Sequence, residues 1–198
     1  MPPPVDDAVL QLFALVSEAL ARATWALLNA DADLGRAVVA ADHEIDAQTT
    51  AVENRVWEKI ESAQPGADDL RRLVCILLIL PELERSADLA EHIAQRAESA
   101  VGSGMTPVSR GMVQRMSEVA VEMWRSAADA WAGGDTDHLD LDEADEELDI
   151  LHGRLSKEVA TGAMEPSVAA QVTLIARFYE RLGDHAVNLS RRVAVARS

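Results

Sequence analysis

The chain has 198 residues, 48% of them apolar, enough for a packed core in one domain or two small ones. Its 34 acidic against 18 basic residues give a formal charge of −16, a field that repels a phosphate backbone and an anionic lipid surface and so argues against nucleic acid and direct membrane binding. A single cysteine, Cys75, excludes any disulfide within one chain.

In chain order, the start Met1-Pro2-Pro3-Pro4-Val5-Asp6-Asp7 has neither the basic nor the apolar region of a signal peptide. With no apolar run near the ~20 residues that cross a bilayer, the expected location is the cytoplasm. Aromatic residues are only 4%, alanine is abundant, and apolar residues recur at helical spacing, which predicts an all-α fold. Helix breakers divide it into six segments, about 6–30, 33–63, 67–100, 108–132, 137–161 and 166–196. The second segment carries Asp42 and Asp46, four residues apart and hence on one stripe of a helix.

The third segment begins with the apolar run Leu73 to Leu80, in which Cys75 reads as a small buried hydrophobe. Pro81, inside this helix, removes a hydrogen bond and should bend it. Along this helix, Leu77, Leu80, Leu83, Ala87, Ala90, Ala94 and Ala97 form a buried face, with Glu84 and Asp88 at its border and His92 two turns past Glu84. Residues 101–107 are the expected linker, with Thr106 as N-cap and Pro107 at the first helical position of the fourth segment. The chain thus divides into a first half, 1–100, and a second half, 108–198.

The second half repeats the first. Asp135 follows its first helix as Asp31 ends the earlier one, and Ala144-Asp145-Glu146-Glu147-Leu148-Asp149 parallels Ala41-Asp42-His43-Glu44-Ile45-Asp46. The last segment carries Tyr179-Glu180-Arg181-Leu182-Gly183-Asp184-His185-Ala186 where the third has Leu83-Glu84-Arg85-Ser86-Ala87-Asp88-Leu89-Ala90. Val172, Ile175, Tyr179, Gly183, Ala186 and Leu189 are its expected buried face. Long helices with short turns pack antiparallel, so the expected architecture is two tandem, pseudo-symmetric three-helix bundles.

Each half then offers four carboxylates from two helices: Asp42, Asp46, Glu84 and Asp88, then Asp145, Asp149, Glu180 and Asp184. Like charges this close repel unless a cation neutralises them, and an all-oxygen set suits Mg²⁺, Ca²⁺, Mn²⁺ or iron. His92 adds a softer candidate ligand. The other reading is a solvated acidic surface, and spacing alone leaves the two open. His43, His138 and His185 read as exposed or capping residues, and Trp25, Trp57, Trp124 and Trp131 as core anchors. No phosphate-cradling glycine loop, nucleophile triad or paired Glu-x-x-His arrangement is present, so catalysis is not expected.

Glu84-Arg85-x-x-Asp88-x-Ala90, Glu180-Arg181-Leu182-Gly183-Asp184-His185-Ala186-Val187-Asn188, Asp69-Leu70-Arg71 and the Asp42/Asp46 and Asp145/Asp149 pairs together resemble the PhoU phosphate-signalling regulators, and the alanine- and arginine-rich composition is similar to their actinobacterial members. The resemblance runs from about residue 8 to 195. The second signature is close to the family pattern; the first departs at Ser86, Ala87, Leu89 and His92. The resemblance implies a multinuclear metal site of iron, zinc, manganese or magnesium at these motifs. It further implies a negative regulator of phosphate uptake and of the phosphate-starvation response, which links the phosphate ABC transporter ATPase to a sensor histidine kinase. Such a protein would be a homodimer, meeting the membrane only through its partners. A carboxylate-bridged metalloenzyme and a metal-free helical adaptor are the alternatives.

Overall fold

The computed structural model describes residues 4–63, 65–134 and 140–197. Among these every regular element is a helix: α1 (Val5–Asn29), α2 (Ala32–Ala63), α3 (Ala67–Gln95), a single turn α4 (Val101–Gly104), α5 (Pro107–Ala132), α6 (Leu141–Ala160) and α7 (Pro166–Arg197). The fold is all-α, two pseudo-symmetric three-helix bundles, as the patterning predicts. The expected fifth segment differs at its start. Its residues 137–139 lie outside the described residues, as do Asp135 and His138, and α6 opens where the Asp140 carboxylate accepts from the Asp142 and Glu143 amides at 3.0 and 3.2 Å. Thr106 caps α5 as expected, its hydroxyl accepting from the Ser109 amide at 3.1 Å, with Pro107 at the first position.

Helix α2 packs on α1 and α3, and α6 packs on α5 and α7, while α1 meets α5 and α3 meets α7 across the halves. The four inner helices share one apolar cluster, from Leu12, Phe13 and Leu27 through Ile79 and Leu83 to Trp124, Ile175 and Leu189. Buried hydroxyl groups stitch this seam: Thr24 Oγ1 lies 2.6 Å from the Tyr179 hydroxyl and 2.8 Å from Ser117 Oγ. Each satisfies the others, which is what permits polar groups in such a core. The connection at 101–105 is itself buried at Val101, Gly102 and Met105. A Cβ on Gly102 would stand 2.0 Å from the Leu27 carbonyl oxygen, so only glycine lets α4 lie against the end of α1.

Two expectations fail on burial. Trp124 and Trp131 are fully enclosed, and each indole donates to a backbone carbonyl, Leu182 at 3.1 Å and Asp6 at 3.2 Å. Trp25 and Trp57 are instead 62% and 48% exposed, because they sit on the outward faces of α1 and α2. His185 is buried rather than exposed, since its place on α7 faces α3; Ser86 Oγ lies 2.9 Å from its Nδ1. The buried faces of α3 and α7 follow the predicted stripes, although Leu77 is only half-buried. Helix α3 runs on through Pro81, and Arg85 donates to the Pro81 carbonyl at 3.0 Å.

Candidate metal centre

The outer helices bring their aspartates onto the border stripes of the inner ones. In the first half, α2 supplies Asp42 and Asp46 and α3 supplies Asp88, with one carboxylate oxygen from each lying within 4.8 Å of the others. Asp42 is buried, at 8% exposure, and its Oδ1 makes no hydrogen bond within the protein. Burial, with Asp46, Glu91 and Asp88 nearby, pushes its carboxyl up to about 6. Glu84 stands one turn before Asp88; partial burial and then the charges of Asp46, Asp88 and Glu53 raise its pKa, against a lowering by Arg85.

Such an arrangement is costly when empty. A buried carboxylate oxygen without a donor loses its hydration for nothing, and neighbouring anions add repulsion. Oxygen donors at this separation, one of them buried and unpartnered, have the chemistry of a hard or borderline divalent cation site. The residues present therefore fit a metal. Asp42, Asp46 and Asp88 would be the donors, with Glu84 beside them.

His92 is exposed, and its ring stacks on Phe178 of α7, the centroids 5.7 Å apart. Sequence spacing put it on the Glu84 stripe, but eight residues at 100° each carry it about 80° round the helix. Glu91 is the next acid along α3, and Glu53 extends the α2 row. Both were legible, since Glu91 is seven residues from Glu84 and Glu53 seven from Asp46, a spacing of about two turns.

The second half assembles more loosely. Asp145, half-buried on α6, is raised first by burial and then by Asp184, Asp149 and Glu180, so the four predicted acids do share one neighbourhood. Glu180 is paired with Arg177 on its own helix. Asp149 and Asp184 are exposed. Where the first half has Glu91 and Glu53, the equivalent positions hold Val187 and Ser156. Gly183 admits the close approach of α6: a Cβ there would meet Leu148 Cδ1 at 2.6 Å and Asp145 Oδ1 at 2.9 Å. His185 turns away toward Ser86 and, at 3.8 Å, the Glu82 carboxylate. Burial lowers its pKa, an effect Glu82 opposes and Arg181 and Arg85 reinforce.

Comparison with known proteins places this arrangement. The PhoU domain matches residues 9–97 and again 113–193, once over each half. The phosphate-specific transport system accessory protein PhoU homolog 2 of Mycobacterium tuberculosis is 32% identical over 193 residues, covering 96% of this chain and 91% of the relative. The PhoU homolog of Zymomonas mobilis is 33% identical over 196 residues, covering 95% and 81%. The crystal structure of PhoU from Pseudomonas aeruginosa superposes with a TM-score of 0.88 at 28% identity, covering 97% and 94%. The chain belongs to the PhoU family.

Proposed function

We propose that this PhoU-family chain is a non-catalytic, metal-holding adaptor that restrains phosphate uptake and represses the phosphate-starvation response. The chain comprises two domains, 1–100 and 108–198, joined by 101–107, and two copies of it form a cytoplasmic homodimer. It links the ATPase of a phosphate ABC transporter to a sensor histidine kinase. The observation that carries this reading is the family match over both halves, together with relatives named as accessory proteins of phosphate-specific transport.

In this reading Asp42, Asp46, Asp88 and Glu84 hold one cluster, and Asp145, Asp149, Glu180 and Asp184 hold the other; His92 contributes through its packing on Phe178. Bound metal ions of the iron, zinc, manganese or magnesium type supply positive charge that neutralises the acids. The chain's own residues do the rest: Asp42 positions a desolvated donor, Gly183 lets Asp145 reach α7, and the hydroxyl seam of Thr24, Ser117 and Tyr179 locks the halves in register.

The test is genetic and analytical. Deleting the gene, in a strain without a second copy, should switch on phosphate-starvation genes in phosphate-rich medium. Unchanged expression removes the regulatory reading. Tag-free protein purified without chelator should carry metal on elemental analysis and show no turnover, whereas metal-dependent turnover would favour an enzyme.

A further inference from the structure

The apolar run of α3 is more apolar than a bundle requires. Leu73, Cys75, Ile76, Ile79 and Leu80 face the core, yet Leu70, Val74 and Leu78 recur every four residues along the outer side and are 40%, 42% and 48% exposed. A helix face of this kind normally carries polar residues, and a contiguous exposed apolar stripe marks a contact surface. Here the stripe is not flat. With α7, its Val74 and Leu78 form a groove of about 430 Å³ whose far wall holds Asn188, Val195 and Ala196 and whose rim holds Arg71, Arg191 and Arg192, with no acidic side chain among the described residues of its lining.

That rim is out of character for the molecule. The chain as a whole carries −16, yet this groove gathers three guanidinium groups around an apolar floor. Arg192 is held in place by donating to the Leu78 carbonyl at 2.8 Å and lies 3.6 Å from Glu82, so its position is built into the seam between α3 and α7. Arg191 and Arg71 reach Asp142 at 2.8 Å and Asp68 at 3.7 Å, both pairs solvent-exposed and weak enough for an incoming carboxylate to compete with.

We infer that the α3/α7 groove docks an acidic amphipathic helix of a partner protein, its apolar residues on Val74 and Leu78 and its carboxylates on Arg71, Arg191 and Arg192. A helix laid in a groove is a common mode of peptide recognition, and complementary charge sets its register. A second copy of the chain fits poorly, because a two-fold contact through this face would bring like arginines together. A bilayer fits poorly too, being flat where the groove is concave, and repelled by the overall charge. The inference rests on the adaptor reading above, and names the surface that such an adaptor would use.

Its test uses the full chain and a labelled synthetic helix with leucines at i, i+3, i+4 and i+7 flanked by glutamates, read by fluorescence anisotropy beside an otherwise identical lysine peptide. The acidic peptide should bind at least about tenfold more tightly, and Val74→Asp with Leu78→Asp should weaken it by about tenfold or more, the loss expected of central interface anchors. Both positions are exposed, so melting temperature and metal content should not move. Arg71→Glu with Arg191→Glu should transfer the preference to the lysine peptide. Equal binding of the two peptides, or groove variants that bind like the native chain, would overturn the inference. So would capture by phosphatidylglycerol vesicles that the same variants abolish, or a dimer by sedimentation that they dissolve. Starvation-gene expression in the deletion strain is scored separately: a silent reporter defeats the adaptor reading whatever the peptide does, and a responding reporter with indifferent peptides defeats the groove alone.

Discussion

The two halves share a plan, but not a balance of charge. In the first, six acids crowd two helices, Asp42, Asp46, Glu53, Glu84, Asp88 and Glu91, and the most buried of them has an oxygen without a donor. In the second, five acids meet, Asp142, Asp145, Asp149, Glu180 and Asp184, of which Glu180 is paired with Arg177 and Asp142 with Arg191, and Val187 and Ser156 stand where the first half has two further acids. Yet it is the second half whose Glu180-to-Asn188 signature lies closer to the family pattern. Similarity of a motif and crowding of charge are therefore separate properties: the signature reports which helix faces meet, whereas the affinity expected for a cation depends on how many anions are held together at what burial.

The halves also divide the work of stability unequally. The enclosed indoles, Trp124 and Trp131, are both on α5, while Trp25 and Trp57 of the first half face solvent. The largest expected effect follows from this. Trp124→Ala should cost about 3–5 kcal/mol in chemical denaturation, whereas Trp25→Ala should stay within about 0.5 kcal/mol. Equal losses would show that exposure misjudges one of them.

Metal and pH sharpen the contrast next. A ligand bound only by the native state adds RT ln(1+[L]/Kd), about 2.7 kcal/mol at a hundredfold excess over Kd, so chelation should lower the melting temperature. If stripped and loaded samples melt together, the clusters are solvated surface. In stripped protein, Asp42 has a folded pKa raised to about 6 from an ordinary 3.8. A carboxyl raised on folding contributes stability that is complete below its unfolded pKa and is lost as pH rises through the folded one. The stripped chain should thus gain roughly 2 kcal/mol between pH 7 and pH 4 from this group, seen as an acid-side rise in melting temperature that Asp42→Asn removes. A profile unchanged by that substitution would place the titration elsewhere.

Gly183 gives a smaller effect. The first half has Ala87 at this position, and Gly183→Ala makes the halves alike at the expense of contacts with Leu148 and Asp145. Because Leu148 can rotate but Asp145 is part of the cluster, the expected loss is about 1–2 kcal/mol with weaker metal retention in that half. A gain in stability, from the better helix propensity of alanine, would mean that α6 yields freely. Smallest of all, Arg115→Ala removes an exposed two-point pair with Glu147 at 2.7 and 2.9 Å and should cost less than about 1 kcal/mol in the same denaturation assay.

Much of this was legible in the sequence because helices write themselves with a period. The buried stripes of α3 and α7, the Thr106-Pro107 cap and the gathering of the eight predicted acids all follow from spacing and breakers. What spacing does not encode is which side of a helix meets the other half. His185 sits within the second signature but points across the seam to Ser86, and His92 drifts off its stripe onto Phe178. Those contacts depend on how two bundles dock, a long-range outcome. The exposed indoles have the same origin: size and apolarity suggest a core, but only the assembled faces decide whether one is available.

The most direct measurement is metal content by elemental analysis of tag-free protein, comparing Asp42→Asn/Asp88→Asn with Asp145→Asn/Asp184→Asn. Neutral amides keep the shape and remove the charge. The account predicts that the first pair loses most of the bound metal under limiting metal, while the second pair loses distinctly less. Equal losses from both pairs, or a greater loss from the second, would contradict it.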